Sequence, residues 1–407
     1  MKPIEPYKGV RDFYPEDQRI QNYIFDAMRR AVESYGYQEM NASVLESTEL
    51  YTSKTSEEII AEQTYTFTDR GERSVTLRPE MTPTVARMVA TKKRELGYPL
   101  RWYSIQNFFR YERPQRGRLR EFWQLNADLF GITGPLADAE IIAVACRVMR
   151  ELGAMPDDFV IKIGSRDALN SELLAQNIPQ EKHKAIASLI DKKSKMKDDE
   201  YTRAMQDLIG ENEFVIRESV DVIEVRTILE SWGIENTVFD ADVVRGFDYY
   251  TGIVFEVFDT NPENKRSMFG GGRYDNLIGS YGSQDVPAVG FAMGDVIAKD
   301  FLETHSILPS LAVSQTLYLA PLTDKDMLPA ALTADRIREN GVHVSLGMKN
   351  AKIADHIKTA VKLGVSFFAV YGEQEFSSNT LTIKNLATGE EVVTTVDEIG
   401  SVVHKKN

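Results

Sequence analysis

Two strand-like runs joined by a short arginine-rich segment constrain the fold of this chain most. Residues 100–112 read LRWYSIQNFFRYE and residues 121–131 read EFWQLNADLFG, and both runs are rich in the aromatic residues that favour strands. The segment between them, RPQRGRLR, contains the Pro and Gly that interrupt a strand. The pattern predicts a long antiparallel hairpin.

Alternate residues of the second run point to opposite faces of a strand. One face is predicted to be core and comprises Trp123, Leu125, Ala127 and Leu129. The other face offers an aromatic ring, amides and a carboxylate, and comprises Phe122, Gln124, Asn126 and Asp128. Such a face suits a small polar ligand. Arg110 and Glu112 are predicted to share a face of the preceding strand, with a surface ion pair as the alternative.

The order of helix and strand patterns predicts two domains. Residues 16–36 form an amphipathic helix pattern that stops at Gly36, and residues 135–153 form another. The first domain is predicted to be α+β, over residues 1–305, with a charged helical insertion at about 170–235. A linker over 306–314 then leads to residues 315–407, where strands and helices alternate as in a small α/β domain.

Charge is distributed unevenly along the chain. The net charge over 407 residues is −13, which disfavours a protein coated in cations for nucleic acid. The hairpin connection nevertheless concentrates positive charge, with Glu112 opposed by Arg110, Arg113, Arg116, Arg118 and Arg120. This run predicts a local basic site, or else a solvated charge run. The N-terminus lacks the apolar run of a signal peptide and no stretch is long enough to cross a bilayer, so a cytoplasmic protein is expected.

Several kinds of site are disfavoured by the sequence. The five histidines lie outside the segments described above and lack metal-ligand spacing, and no GxxxxGK[ST] phosphate loop is present. Cys146 is the only cysteine and is expected to be a buried structural thiol. Arginines, carboxylates and tyrosines remain, and they suit phosphoryl or nucleotidyl transfer without a protein nucleophile.

Six separated segments resemble class II histidyl-tRNA synthetases, and the resemblance covers nearly the whole chain. They are KGVRDFYPED, TLRPEMT, FRYERPQRGRLREFWQ, VRGFDYYTG, GGGRYDNL and PAVGFAMG, and the carboxy-terminal domain resembles the family's anticodon-binding domain. The resemblance implies a class II catalytic domain built on an antiparallel sheet with flanking helices. It also implies a homodimer that uses ATP and Mg²⁺ to join L-histidine to tRNA(His) through a histidyl-adenylate.

The resemblance also implies roles for individual residues, and Arg245 and Arg110 would be catalytic. The ATP-binding residues would be Arg110, Glu112, Arg118 and Phe122. The histidine-binding residues would be Glu80, Thr82, Gln124, Asp128, Arg245, Tyr249, Tyr250 and Tyr274. The residues that meet the tRNA acceptor end would be Arg113, Gln115 and Arg116. The alternative for Arg245 is a plain ion pair with Asp248 or Asp242.

Three positions depart from the family's usual residues. Ser43 stands where proline is usual, near the region that forms the dimer, and Asp128 is one methylene shorter than the usual glutamate. Ile297 stands where an arginine usually binds the ATP γ-phosphate. Lys299 follows two positions later, roughly 200° around a helix, and is expected to point elsewhere. The other candidate cations are Arg73, Arg266 and Arg273.

The departures leave two other functions open. A histidine-binding paralogue that regulates another enzyme would resemble only the catalytic domain, and a tRNA-binding protein with a silent site would catalyse neither step. The carboxy-terminal domain, Arg110 and the intact RPQRGR loop favour a working synthetase. The sequence does not indicate which side chains read the anticodon, what the helical insertion does, or which residues would hold a metal ion.

Overall fold

The computed structural model describes residues 4–52, 63–193, 196–210, 214–245, 249–264, 266–311 and 316–404. The chain divides into two compact units, Met1–Pro309 and Ser310–Asn407. Each unit has hydrophobic clusters of its own. Part of the predicted linker, residues 312–314, and residue 315 lie outside the described residues. No helix within the described ranges is long and apolar enough to span a membrane.

The first unit is built on a large sheet. Its strands are β1 (Gln38–Glu39), β2 (Leu45–Ser47), β3 (Tyr65–Thr68), β4 (Ser74–Leu77), β5 (Leu100–Phe109), β6 (Glu121–Phe130), β7 (Phe159–Ser165), β8 (Thr237–Phe239), β9 (Ile253–Asp259), β10 (Ser267–Arg273) and β11 (Ala288–Gly294). Eight of them form a sheet in the order β1-β5-β6-β11-β10-β9-β7-β8, and β2-β4-β3 form a small second sheet. The large sheet is antiparallel except at its two edges, where β1 pairs with β5 and β7 pairs with β8 in parallel.

Helices of the first unit cover the large sheet. They are α1 (Pro15–Glu33), α2 (Glu49–Thr52), α3 (Thr82–Lys92), α4 (Pro135–Glu151), α5 (Arg166–Ala175), α6 (Gln180–Lys192), α7 (Asp198–Ile209), α8 (Val220–Ser231) and α9 (Asp295–Thr304). Side chains of α1, α4, α8 and α9 share one hydrophobic cluster with the large sheet. Helix α4 is apolar around most of its circumference and is buried accordingly. Burial raises the pKa of the Cys146 thiol in this helix, as expected for a structural cysteine.

The predicted hairpin is confirmed. Strands β5 and β6 pair without a break from Leu100 opposite Phe130 to Phe109 opposite Glu121. The prediction that Arg110 and Glu112 share a strand face is wrong, because β5 ends at Phe109. The backbone N–H of Tyr111 donates to the Gln63 carbonyl at 2.7 Å, which takes the chain out of the hairpin ladder.

The second unit alternates strands and helices as the sequence predicts. Its strands are β12 (Thr316–Pro321), β13 (His343–Leu346), β14 (Phe367–Tyr371), β15 (Thr380–Asn385) and β16 (Glu391–Thr395). Its helices are α10 (Met327–Glu339), α11 (Ile353–Lys362), α12 (Glu373–Ser378) and α13 (Ile399–Val403). The sheet order is β13-β12-β14-β15-β16, with parallel pairs at β12 and antiparallel pairs at β15.

Candidate active site

The two faces of β6 have different surroundings. Leu125, Ala127 and Leu129 are fully buried in the cluster that includes α1, α4 and α9. Asp128 faces the other way and contacts Tyr274, at the end of β10. The polar face predicted from the alternation therefore lies opposite the helices that cover Leu125, Ala127 and Leu129.

Asp128 and Tyr274 form a buried pair. The Tyr274 hydroxyl donates a short hydrogen bond to Asp128 Oδ1, and both side chains are almost inaccessible to solvent. Burial raises the pKa of the Asp128 carboxyl to about 7, although the bond from Tyr274 favours the ionised form. Gly290 lies directly opposite Asp128 in the sheet, and a Cβ at this position would be 2.1 Å from Asp128 Oδ1. The glycine therefore provides the space that the carboxylate occupies.

A row of tyrosines extends from this pair. Tyr249 packs edge-on against Tyr274 with ring centroids 5.8 Å apart, and its ring centroid is 4.9 Å from that of Tyr250. The Tyr249 hydroxyl donates to Glu80 Oε2 at 3.2 Å and also bonds the side chain of Thr82, at the start of α3. Because Tyr249 is buried and faces the Glu80 carboxylate, its pKa is well above the usual value, and the phenol remains a hydrogen-bond donor.

Arg245 ends this row of contacts, with its guanidinium carbon 5.8 Å from the Tyr250 ring centroid. Its Nη1 donates to Glu256 Oε1 at 3.3 Å and to the Phe255 carbonyl at 3.5 Å. Its φ angle of 52° places it in the left-handed region, which non-glycine residues rarely adopt. Of the two aspartates in the alternative reading, Asp242 pairs with Lys193, and Asp248 lies outside the described residues.

The residues predicted to bind ATP lie together beside the end of the hairpin. Arg110 donates to the Pro79 carbonyl at 2.9 Å, and its guanidinium carbon is 5.3 Å from the Phe122 ring centroid. Arg118 Nη1 donates to Glu112 Oε2 at 3.4 Å. Gln124 follows two residues after Phe122 on the same strand face and is half-buried. The arrangement offers a stacking ring, two guanidinium groups and one carboxylate.

The loop over residues 113–120 contains the residues predicted to meet tRNA. Two backbone hydrogen bonds between Gln115 and Arg118 close its turn, and Arg113 and Gln115 are exposed. Arg116 is not free, because it donates to Asp300 at 2.7 Å and to Thr304 at 3.1 Å, both on α9. The exposed Arg116–Asp300 pair is a weak attachment that phosphate groups could replace.

Ile297 and the neighbouring cations differ from the usual γ-phosphate site. A Cβ on Gly117 would be 2.8 Å from Ile297 Cδ1, so the tip of the loop contacts this side chain. Arg273, one of the three candidate cations, has a buried guanidinium that pairs with Asp138 at 2.9 Å and Asp275 at 3.1 Å. Among the other candidates, Arg73 pairs with Asp69 at 2.8 Å, Arg266 is exposed, and Lys299 lies 3.8 Å from Glu303.

Sequence reasoning missed two charged residues of the site. Arg78 is fully buried and donates to Gln106 and to the carbonyls of Ala42 and Asn107, so it fixes the segment that presents Pro79 and Glu80. Arg78 is the arginine of the TLRPEMT motif. The sequence signal for its role is a charged residue inside an otherwise strand-like run. Glu256 contacts Arg245, and its signal is a lone carboxylate within the apolar run IVFEVF.

Comparison with known proteins identifies the family. The family profile described as Histidyl-tRNA synthetase matches residues 9–295, and the profile described as Anticodon binding domain matches residues 316–406. The chain is 40% identical to a histidine–tRNA ligase of Leptospira biflexa, over 94% of this chain and 93% of the relative. The chain belongs to the histidyl-tRNA synthetase family. This confirms the resemblance seen in the motifs.

Further relatives support the same family. A histidine–tRNA ligase of Haloarcula marismortui is 36% identical over 95% of this chain and 94% of its own. The apo histidyl-tRNA synthetase of S. aureus superposes with a TM-score of 0.80 at 26% identity, covering 99% of this chain and 100% of that one. The likeness extends over both structural units, so the predicted fold class, a class II catalytic fold followed by an α/β anticodon-binding domain, is confirmed.

Proposed function

We propose that this chain is a histidine–tRNA ligase that joins L-histidine to tRNA(His) in two steps. The histidine carboxylate attacks the α-phosphorus of ATP and releases pyrophosphate, and the terminal ribose of tRNA then takes the histidyl group from the adenylate. The observation that carries this proposal is the unbroken row of contacts from the Asp128–Tyr274 pair through Tyr249 and Tyr250 to Arg245. It joins a polar binding pocket to a buried cation.

The imidazole of histidine binds at the Asp128 end of the row. The ionised Asp128 accepts a bond from one ring N–H, while Tyr250 contacts the other nitrogen and Tyr274 holds the carboxylate in place. Glu80, Thr82 and Gln124 bind the α-amino group, and Tyr249 keeps Glu80 oriented through its 3.2 Å bond. A site that must satisfy buried polar groups strongly rejects apolar amino acids.

ATP binds at the hairpin end of the site. Phe122 stacks on the adenine, Glu112 accepts from the adenine amino group, and Arg118 contacts the phosphates. Arg110 holds the α-phosphate from one side, and Arg245 approaches the reacting carboxylate and α-phosphate from the other. Two fixed guanidinium groups stabilise the charge that develops in the transition state, and the enzyme needs no nucleophile of its own.

Mg²⁺ enters with ATP, bound through phosphate oxygens. This ion usually uses substrate phosphates and only one or two carboxylates, so it does not need a cluster of protein ligands. Within the described ranges, no group of three His, Cys, Asp or Glu side chains lies close enough together to hold a metal ion.

The loop over residues 113–120 meets the tRNA acceptor end. Arg113, Gln115 and Arg116 contact it partly through phosphates, and Arg116 leaves Asp300 when tRNA binds. The anticodon-binding domain, over residues 315–407, reads unpaired anticodon bases by stacking and edge contacts. The first domain extends over 1–305, with the helical insertion at about 170–235 and the linker at 306–314.

Family membership also supports a homodimer that acts in the cytoplasm. No observation favours a regulatory subunit.

The test of this function is histidine-dependent exchange of pyrophosphate into ATP, measured together with charging of tRNA. The wild-type protein is expected to perform both reactions. Arg245→Ala is expected to lower exchange by about 100- to 1,000-fold while leaving the unfolding temperature nearly unchanged, because it removes a donor that acts on the transition state. Normal exchange in that variant would exclude the role of Arg245.

A further inference from the structure

Glu256 is a charged residue in an apolar strand next to the site. It lies at the middle of β9, where the neighbouring residues Phe255 and Val257 are buried in the core. Its own side chain is 22% exposed, and burial raises the pKa of its carboxyl. A carboxylate in such a place costs free energy unless a cation faces it.

The cation that faces Glu256 is Arg245. The two side chains meet through Nη1 and Oε1 at 3.3 Å, and the same Nη1 also points at the Phe255 carbonyl at 3.5 Å. Within the described part of the chain, the buried Nε of Arg245 has no hydrogen-bond partner. The protein therefore holds the guanidinium at Nη1 and through a further side-chain hydrogen bond with Tyr250, while the buried Nε has no partner among the described residues.

Gly270 completes this arrangement from the adjacent strand. It lies directly opposite Glu256 in the β9–β10 ladder. A Cβ at this position would be 2.2 Å from Arg245 Nη1, so the guanidinium occupies the space that any side chain at residue 270 would fill. The backbone of Arg245 is itself in the left-handed region, with φ at 52°. An unfavourable backbone conformation persists only when surrounding contacts hold it in place.

We propose that Glu256 is a positioning residue for Arg245: it binds the Nη1 corner of the guanidinium over Gly270 and so directs the remaining donors toward the anions of the reaction. This inference rests on the role proposed above for Arg245. Glu256 itself touches neither histidine nor ATP. It neutralises the buried guanidinium before the substrates arrive and fixes its orientation, which a flexible arginine would otherwise lose.

The test measures kcat and KM for histidine-dependent pyrophosphate exchange in Glu256→Ala, Glu256→Gln and Gly270→Ala. We expect Glu256→Ala to lower kcat by about 100-fold, the cost of misplacing a catalytic group by about 1 Å, with KM values within about threefold of wild type. Glu256→Gln is expected to recover part of the loss, because its amide oxygen can still accept from Nη1. Gly270→Ala is expected to lower kcat in the same way.

Arg245→Ala and the double variant Arg245→Ala/Glu256→Ala decide whether Glu256 acts through Arg245. The double variant is expected to be no slower than Arg245→Ala alone, since removing the partner of an absent side chain changes nothing. Losses that multiply in the double variant, or a Glu256→Ala enzyme with wild-type kcat, would overturn the inference. Wild-type exchange in Arg245→Ala would instead overturn the proposed role of Arg245, and with it this one.

Glu218→Ala is the matched control. Glu218 precedes α8 and pairs at 2.6 Å with Arg226, which lies within that helix. The side chain of Glu218 is 28% exposed and that of Arg226 is 27% exposed. Its loss removes a comparable arginine–glutamate pair from the same unit but no contact to Arg245. We expect wild-type kcat in this variant. Thermal unfolding of all variants checks that each one is folded, and a kcat loss in Glu218→Ala equal to that in Glu256→Ala would show only general destabilisation and contradict the inference.

Discussion

At the scale of single residues, the site depends on how each charge is neutralised. Arg245 meets Glu256, Glu80 accepts from Tyr249, and Asp128 accepts from the Tyr274 hydroxyl. Burial raises the pKa of the Asp128 carboxyl to about 7. In the binding mode proposed above, a neutral histidine ring would supply an N–H donor to the ionised carboxylate, which would couple substrate recognition to this titration.

Asp128 predicts a pH dependence. The carboxylate that accepts from imidazole forms only as the pH rises through about 7, so KM for histidine should rise as the pH falls below that value. Asp128→Asn should raise KM by about 10- to 100-fold at pH 8 and remove this part of the pH dependence. The imidazole of free histidine titrates in both enzymes, so the difference between them isolates Asp128. Identical KM profiles would contradict the assignment.

The same titration affects the stability of the ligand-free protein. The pKa of Asp128 is raised on folding, so the folded state holds the proton more tightly than the unfolded state, whose pKa is about 4. Its stabilising contribution is therefore fully present below pH 4 and is lost as the pH rises through about 7. The difference in unfolding temperature between the wild type and Asp128→Asn should therefore change as the pH rises from about 4 to about 7.

At the scale of elements, the hairpin explains how the site is assembled. Strand β6 presents Phe122, Gln124 and Asp128 on one face, and the end of β5 releases the chain into the arginine-rich loop. The loop is attached to α9 by the exposed Arg116–Asp300 pair and by the contact of Gly117 with Ile297. Because these contacts are few and mostly at the surface, the loop can exchange them for contacts with tRNA.

The arginine-rich loop predicts that tRNA binding depends on the salt concentration. Arg113→Ala should weaken tRNA binding and reduce the slope of log K against log salt concentration by about 1, the value for one lost phosphate contact. Charging should fall more than pyrophosphate exchange does, because the residue acts in the second step. Filter binding at several salt concentrations gives the slope. An unchanged slope would place Arg113 away from the phosphates.

At the scale of the whole molecule, each unit has its own core. One cluster that contains Ile141, Phe255 and Phe291 lies in the first unit, and another that contains Leu317 and Ile383 lies in the second. The predicted site residues lie in the first unit, and the profile for the anticodon-binding domain matches within the second. We therefore expect the two partial reactions to separate when the chain is cut between the units.

A fragment over residues 1–309 is expected to retain histidine-dependent pyrophosphate exchange and to lose most tRNA charging. The first unit has a hydrophobic cluster of its own, and the residues proposed for adenylate formation all lie in it. Charging loses the anticodon contacts, so KM for tRNA should rise by at least about tenfold. Both assays on the fragment and the full chain check this. A folded fragment without exchange activity would show that the second unit contributes to the first step.

The sequence was most informative where a pattern is local. Alternation over residues 121–131 predicted which face of β6 is core and which is polar, because the side-chain period of a strand is fixed. It could not predict that Arg273 pairs with Asp138, which lies 135 residues earlier in the chain, or that Glu256 meets Arg245 over Gly270. Those contacts depend on sheet order. The end of β5 was also missed, because Gln63 supplies the competing carbonyl from another segment.

In the proposed function, the Asp128–Tyr274 pair selects histidine for attachment to tRNA. Its most direct test is charging of total tRNA by the purified protein, with each of the standard amino acids supplied in turn together with ATP and Mg²⁺. Histidine alone is expected to be attached, and only to tRNA(His). Attachment of any other amino acid at a comparable rate, or no attachment of histidine, would contradict the account.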